Sequence, residues 1–361
     1  RWSRDVSLKP LTHLCFGSPN IVEPKLKGVS KSDSPFYLKM KISKYFDTIL
    51  GEKAMEEILN WGIQIIKAIQ TVTCAPLTWI AIFIHHVFNA GIYVAIIGII
   101  FWGVDTKKGF KLGTALLFST SLNVAIKNFF QVPRPYTIDP SVATGASETS
   151  FAFPSGHSQG AATFWPLFAG LQKNWKKWAK ILVGLCLPLL VGLSRMYLGV
   201  HYPTDVIVGL ALGFLISCGV LLFWDNIAFY IKPLRKSLKV LAAALVCFCL
   251  NAISAADTSY SALLFGFVTG YIFLTEKGTF SAASGTILQK VLRIILGFVI
   301  IAAIYYGLKL IFPGKESNLY QLFRFIRYGL VGFTATFLAP KLFVVLKLAS
   351  PVSKSEEIVE E

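Results

Sequence analysis

The sequence predicts an all-α fold, a polytopic bundle of transmembrane helices. Of its 361 residues, 54% are hydrophobic and only 15% are charged, and the mean hydropathy is +0.61. Soluble domains carry about 25% charged residues. The chain also contains a series of apolar runs of about 20 residues, the length that a helix needs to cross a bilayer. These two observations together indicate a membrane protein.

Basic residues give the chain a formal net charge of +16. Four short segments between apolar runs, 104–111, 172–180, 225–239 and 276–293, carry 14 Lys and Arg residues, whereas the segments on the opposite side carry only Arg134, Arg195 and Lys315. Loops of this kind mark the cytoplasmic side of membrane proteins. The charge therefore predicts membrane topology and excludes nucleic acid as the expected partner.

The first part of the chain has no long apolar run. Residues 1–39 are polar and rich in Ser, Pro and Lys, which is typical of a disordered or non-native leader. Residues 40–72 are expected to contain an amphipathic helix that lies in the membrane interface. Its apolar stripe has helical spacing and consists of Met55, Ile58, Leu59, Gly62, Ile65, Ile66 and Ile69.

Nine membrane spans are expected after this helix. They lie near 77–103, 112–131, 155–171, 181–194, 203–224, 240–254, 259–275, 294–311 and 322–348. The first five belong to a predicted catalytic core at 73–224, and the last four form an additional transmembrane region at 225–349. Residues 350–361 are expected to be an acidic cytoplasmic tail.

The first unusual polar group ends the second expected span. Lys127 falls in the last turns of an apolar helix, and Arg134 follows where Pro133 and Pro135 end that helix. The segment is expected to face the outside. The alternative for Lys127 is a snorkelling anchor, a common role for Lys near the end of a span.

The second group opens the third expected span with Pro154, Ser155, Gly156 and His157. Pro and Ser are helix-start signals, and small residues expose backbone N–H groups at the positive end of the helix dipole. This pattern indicates an anion site. The alternative is an ordinary capped helix with a structural histidine.

The third group precedes and opens the fifth expected span. His201 lies just before the helix that Pro203 begins, and Asp205 follows four residues later on the same face. A carboxylate in this position fixes the imidazole tautomer, and the guanidinium of Arg195 suits phosphate oxygens. The alternative is that Arg195 and Asp205 merely pair with each other.

Taken together, the three groups favour one chemistry. A cationic trio, two histidines and one orienting acid suit metal-free phosphoryl transfer through a histidine nucleophile. The sequence predicts no metal site and no cofactor. The pair His85–His86 lies within the first expected span without a nearby acid or Cys in the sequence, and it is interpreted as a packing or interface feature and not as a metal site.

These motifs resemble the signature of the type 2 phosphatidic acid phosphatase and vanadium haloperoxidase superfamily, which is K-x6-RP, PSGH and SR-x5-H-x3-D. The matching positions are Lys127, Arg134 and Pro135, then Pro154 to His157, then Ser194, Arg195, His201 and Asp205. The resemblance covers about residues 60–224. The residues around the motifs look like the bacterial membrane lipid phosphatase branch.

The resemblance implies a role for each matching residue. His201 would attack phosphorus to give a phosphohistidine, Asp205 would orient it, and His157 would protonate the leaving oxygen and then activate water. The groups that would hold the phosphate oxygens are Lys127, Arg134, Arg195, Ser155 and the backbone of Gly156. Four spans after the core are not explained by the family core.

The sequence thus predicts a lipid phosphatase acting on a substrate of the undecaprenyl diphosphate, phosphatidylglycerol phosphate or phosphatidate type. It is expected in a bacterial cytoplasmic membrane with its site facing the periplasm. One alternative is phosphotransfer from a lipid to another acceptor. The other is a transporter or lipid-binding protein built on the last spans, where Lys309, Arg324 and Arg327 are interpreted as snorkelling residues near span ends.

Overall fold

The structure is a computed structural model that describes residues 51–253, 257–276 and 280–351. These residues form helices joined by loops and contain no strand, so the predicted all-α fold class is confirmed. The expected leader at 1–39 lies outside the described residues. So do the first part of the expected interfacial segment, 40–50, and most of the expected tail, 352–361.

Twelve helices occur in the described residues and are numbered here in chain order. They are α1 Glu52–Gln70, α2 Ala75–Val87, α3 Ala90–Gly103, α4 Thr106–Phe130, α5 Pro135–Ile138, α6 Gly156–Gly170, α7 Lys177–Tyr197, α8 Pro203–Ile231, α9 Lys236–Ile253, α10 Ser259–Glu276, α11 Ile287–Ile311 and α12 Tyr320–Val345. Both α7 and α12 contain a π-helical turn, at Leu182–Cys186 and Thr334–Leu338. Pro188 and Pro340 follow two residues after the last residue of the first and the second turn, respectively. A proline has no N–H, so it cannot donate the regular backbone hydrogen bond.

Each of the nine expected spans coincides with helix, but the first consists of two helices. The break between α2 and α3 bends the chain by 51°. Asn89 stabilises the bend, because its side chain accepts hydrogen bonds from the N–H groups of Gly91 and Ile92 and donates one to the carbonyl of His86. By length and composition, six helices are able to cross a membrane, or seven with the bent pair. The chain is therefore an integral membrane protein.

Helix α1 is amphipathic, but its buried face differs from the predicted stripe. Ile58 is 36% exposed, whereas Ile63, outside the predicted stripe, is 4% exposed. The buried face contacts Val132, Val142, Ala152 and Tyr202. A Cβ at Gly62 would lie 2.8 Å from the ring of Tyr202. Gly62 belongs to the predicted stripe, and its missing side chain leaves room for this ring, so the stripe is buried at most of its positions and differs mainly at Ile58.

Close helix crossings hold α4, α6 and α8 together. A Cβ at Gly209 would lie 2.7 Å from the carbonyl oxygen of Ser155, and one at Gly213 would lie 2.5 Å from that of Gln159. Glycine therefore allows the backbones of α6 and α8 to touch. Across to α4, the Gln159 side chain accepts from Asn123 at 2.8 Å and donates to the carbonyl of Ser119 at 2.8 Å. These contacts fix the ends of all three helices.

The helices after α9 pack on the core through aromatic rings. Phe110 of α4 stacks on Tyr271 of α10, with ring centroids 3.6 Å apart. Trp102 of α3 donates a hydrogen bond to the carbonyl of Ala335 in α12.

The snorkelling interpretation is wrong for two of the three cations in these helices. Arg327 is only 7% exposed and lies against the rings of Tyr305 and Tyr328. Arg324 pairs with Asp257 at 3.0 Å. A charge near the end of a span is costly in hydrocarbon, and here protein partners stabilise it in place of the membrane surface.

The crossing of α10 and α12 provides a test of this packing. A Cβ at Gly266 would lie 1.9 Å from the carbonyl oxygen of Gly329, whereas a Cβ at Gly307 in α11 would meet nothing within 4 Å. We expect Gly266→Ala to destabilise the protein by about 1–3 kcal/mol or more, as overpacking does. Thermal unfolding in detergent measures this change.

Gly307→Ala is the matched control, because it adds the same methyl group to a helix where space is open. It should leave the melting temperature unchanged or raise it slightly, since Ala favours a helix. Equal melting temperatures for the two variants would contradict the close crossing.

Candidate active site

The three polar motifs meet at one end of the bundle. They lie at the end of α4, at the start of α6 and in the turn between α7 and α8. The backbone N–H of Ser155 donates to the carbonyl of Asp205 at 2.9 Å, which joins the second motif to the third. Arg134 donates to the carbonyl of Val200 at 2.9 Å, which joins the first motif to the third. All eight candidate residues therefore gather around one small volume.

The turn before His201 depends on one glycine. Gly199 has a φ of +67°, and a Cβ there would lie 2.0 Å from the carbonyl oxygen of Val142. Only glycine adopts this conformation without strain at so close an approach. The turn places His201 beside the loop that follows α4, where Arg134 contacts its ring.

His201 is held at both ring nitrogens. Its Nδ1 lies 3.2 Å from Oδ2 of Asp205, and its Nε2 lies 2.9 Å from Nη1 of Arg134. A guanidinium only donates, so Nε2 accepts and the proton is on Nδ1. Burial, followed by the positive charges of Arg134 and Lys127, holds the pKa of His201 well below its ordinary value. The ring is therefore a neutral imidazole with its Nε2 lone pair directed at the cations.

Asp205 is fixed by the helix that it opens. Its Oδ2 also accepts a hydrogen bond from the backbone N–H of Tyr202 at 2.9 Å, which completes a capping box at the start of α8. The hydrogen bonds of Arg195 among the described residues run to Ser194 and His85, not to Asp205. The alternative of a simple Arg195–Asp205 pair is therefore wrong, and the carboxylate serves His201.

Arg134 uses its guanidinium to join the loop after α4 to the nucleophile. Besides Val200 and His201, it donates to the carbonyl of Ser150 at 2.8 Å and to the Ser150 hydroxyl at 3.1 Å. Lys127 is 6% exposed, and its Nζ donates to the carbonyl of Ala152 at 3.1 Å. The snorkelling alternative for Lys127 is therefore wrong, because the ammonium points into the protein.

The start of α6 is built as an ordinary cap that also faces the cations. The Ser155 hydroxyl accepts from the N–H of Ser158 at 3.4 Å. A Cβ at Gly156 would lie 3.2 Å from Oδ1 of Asn123 and 4.0 Å from Cε of Lys127. The missing side chain leaves the backbone N–H groups of this helix end open to an anion.

His157 lies in the first turn of α6. Its Nδ1 is 3.6 Å from Oε1 of Glu148, and its Nε2 is buried without a hydrogen-bond partner among the described residues. One nitrogen therefore faces an acid, and the other is buried with its hydrogen-bonding capacity unused. This is the arrangement that a general acid and base requires.

Two residues of the site were not found by sequence reasoning. Glu148 lies in an irregular loop outside the three motifs, and no spacing signal marks it. His85, interpreted as a packing or interface residue with His86, instead accepts a hydrogen bond at Nδ1 from Arg195 at 2.6 Å, and its ring centroid is 5.1 Å from that of His157. The interpretation is corrected for His85. The sequence did contain a signal for His85: it is an ionisable residue within an expected membrane span, and such residues are usually functional.

Two family models match the chain. The model of the PAP2 superfamily matches residues 108–229, which hold all three motifs. The model described as the transmembrane extension of the PAP2 superfamily phosphatases matches residues 258–351, which include α10, α11 and α12. Three of the four helices that the family core did not explain, α10 to α12, therefore match this extension, whereas α9 lies outside both matches.

Three individual proteins are similar to the chain. Phosphatidylglycerophosphatase B of Bacillus subtilis is 40% identical over 111 residues, a match that covers 28% of this chain and about half, 51%, of that relative. Undecaprenyl-diphosphatase of Sulfolobus acidocaldarius is 28% identical over 182 residues, covering 49% of this chain and 82% of that relative. The crystal structure of a PAP2-type phosphatidylglycerolphosphate phosphatase from Bacillus subtilis is 27% identical, with a TM-score of 0.41, and covers 55% of this chain and 96% of that one.

The family models together cover more than half of the chain, and they include every residue of the three motifs. The resemblance inferred from those motifs is confirmed. The chain belongs to the PAP2 superfamily and carries the transmembrane extension found in its phosphatases.

Proposed function

We propose that this protein is a membrane lipid phosphatase that hydrolyses a phosphate or diphosphate monoester through a phosphohistidine on His201. One observation supports this most strongly. Three cations, Lys127, Arg134 and Arg195, are each at most 6% exposed and gather around a neutral histidine. Buried charge of one sign is costly unless it is hydrogen-bonded or paired, and a bound phosphate group would supply the counter-charge that the three cations share.

In the first step, Nε2 of His201 attacks phosphorus. The P–N bond forms as the P–O bond to the leaving group breaks, and His157 gives the proton from its Nε2 to the leaving oxygen. Asp205 holds the Nδ1 proton of His201 and stabilises the positive charge that develops on the ring. The three cations and the N–H groups at the start of α6 neutralise the charge on the equatorial oxygens.

In the second step, His157 acts as a base. It has lost its proton, so Nε2 takes one from a water molecule as the water oxygen attacks the phosphohistidine. The P–N bond breaks, its electron pair returns to Nε2 of His201, and inorganic phosphate is released. His157 is protonated again, and the cycle closes without a metal ion in either step.

The proposed substrate is a lipid because the site opens at the end of a bundle of membrane helices. Phosphatidylglycerophosphatase B and undecaprenyl-diphosphatase, two similar proteins, are named for lipid phosphates or diphosphates. The basic loops lie at the opposite end of the bundle, which favours a site facing the outside of a cytoplasmic membrane. Within this proposal, residues 73–224 are the catalytic core and 225–349 line a path for the lipid.

The central test is phosphate release from a panel of lipid phosphates and diphosphates, with purified protein in EDTA. We expect metal-independent, vanadate-sensitive release, and we expect His201→Ala to lower kcat by at least about 10³-fold because the nucleophile is lost. His86→Ala is the matched control: His86 is an exposed neighbour of the site and should retain wild-type activity. Full activity in the His201→Ala variant would contradict the proposal.

Asp205→Asn should lower kcat by about 10²- to 10⁴-fold while KM changes little. The amide keeps the shape of the carboxylate, but it stabilises neither the Nδ1–H tautomer nor the developing imidazolium. Steady-state kinetics on the best substrate of the panel measure both constants. A variant that loses only substrate affinity would assign Asp205 to binding.

The pH profile tests the state of His201. The pKa of His201 is lowered well below its ordinary value of 6.5, so the nucleophile stays neutral, and active, at a pH somewhat below 6.5. As the pH falls, the loss of kcat/KM that protonation of His201 causes, the acid limb of the profile, should therefore occur below pH 6.5. Arg134→Gln removes a positive charge beside the ring. The pKa should rise and the limb should move to higher pH, whatever the residual rate. A wild-type limb above pH 6.5 that stays in place in the variant would contradict this assignment.

A further inference from the structure

We propose that His85, Glu148 and His157 form a binding site for a divalent transition-metal ion of the Zn²⁺ type, and that the bound ion inhibits the enzyme. The three residues come from different parts of the chain: the last turn of α2, the loop after α5 and the first turn of α6. Two histidines and one glutamate are a common zinc ligand set in proteins. None of the three belongs to the cation trio.

The geometry is close to that of a bound ion. Oε1 of Glu148 lies 3.6 Å from Nδ1 of His157 and 3.9 Å from Nδ1 of His85. The three ligand atoms all lie within 4.8 Å of one another. Around a tetrahedral ion with bonds of about 2.0–2.2 Å, neighbouring ligand atoms are about 3.3–3.5 Å apart. Small side-chain rotations therefore suffice to close the site.

The carboxylate oxygen that faces both histidines is itself unsatisfied. Oε1 of Glu148 is buried and has no hydrogen-bond partner among the described residues. Leaving such an atom unpaired is costly, so an unpaired oxygen in a native site calls for a ligand or another explanation. The three side chains are 16–22% exposed, which leaves a route for an ion to enter.

The two imidazole ligands and the nearby Arg195 decide which ions can bind: the charge of Arg195 opposes every cation, so only an ion with high affinity for imidazole fits. Nη1 of Arg195 lies 2.6 Å from Nδ1 of His85, so an ion must displace this hydrogen bond and bind close to a positive charge. Hard cations such as Mg²⁺ and Ca²⁺ prefer oxygen ligands and gain little from imidazole. Ions with high affinity for imidazole nitrogen, Zn²⁺ above all among the abundant ones, are the class that fits.

Inhibition follows from the atom that binds. An ion on Nδ1 of His157 occupies the lone pair that would otherwise hold the second proton. The ring then keeps its Nε2–H as a neutral ligand, and it neither accepts a proton from water nor releases one to a leaving group near neutral pH. This consequence rests on the proposed function, whereas binding of the ion does not.

The test is a direct binding measurement on the full chain, purified without a polyhistidine tag and stripped with EDTA. Zn²⁺ titration by calorimetry should give one ion per chain, and Co²⁺ should give the visible absorption of a tetrahedral site. His85→Gln and Glu148→Gln should weaken binding by at least about 100-fold, more than loss of an outer-shell partner costs. His86→Gln is the matched control and should bind as the wild type does.

Phosphate release provides the second readout. Zn²⁺ should inhibit the wild type reversibly, EDTA should restore the activity, and His85→Gln should need at least about 100-fold more Zn²⁺ for the same fractional inhibition. The absence of one-to-one binding, or equal binding by His85→Gln and His86→Gln, would overturn the proposal. Failure of the lipid phosphatase proposal would appear separately, as a lack of phosphate release in EDTA.

Discussion

The burial of positive charge around His201 is the constraint on which the rest of the structure depends. Arg134 and Arg195 are 5% and 0% exposed, respectively, inside a membrane protein. An isolated buried charge is very costly, so each must be hydrogen-bonded in the absence of ligand. Arg134 donates to Ser150 in the loop before α6 and to Val200 and His201 in the turn before α8. The free site is therefore kept ready for an anion by its own carbonyl groups.

This requirement explains the packing behind the site. The acceptors of Arg134 and Lys127 lie in the loop 131–155 and the turn 198–202, and both need rigid supports. Glycine contacts between α6 and α8 provide one support, and the Asn123–Gln159 hydrogen bond to α4 provides another. Helix α1 covers the same loops from the other side, where Gln70 donates to the carbonyls of Val142 and Tyr197. Loss of any of these contacts would loosen the loop 131–155 or the turn 198–202. These segments carry the carbonyl groups that accept hydrogen bonds from Arg134 and Lys127.

The extension is joined to the core by apolar and aromatic contacts, not by the site itself. Phe110, Phe267 and Tyr271 stack across the boundary, and the α10–α12 crossing is made tight by facing glycines. Its buried arginines have local partners, as Arg293 shows by donating to the carbonyl of Ala282. These helices therefore pack on the core residues as part of the same helical bundle.

The fold class and the approximate position of each long helix follow from the sequence alone, because hydrophobic length is a local property. Motif spacing, which is also local, predicted the eight candidate residues that the structure brings together. It also predicted that His201 and Asp205 share a helix face, which needs only the i, i+4 relation. The sequence did not predict the bend between α2 and α3, the burial of Lys127 and Arg327, or the pairing of Arg324 with Asp257. Only the tertiary structure decided these, and only it brought His85 and Glu148 beside His157. Such contacts join segments about 60 to 110 residues apart or lie in an irregular loop, and no periodicity along the chain encodes them.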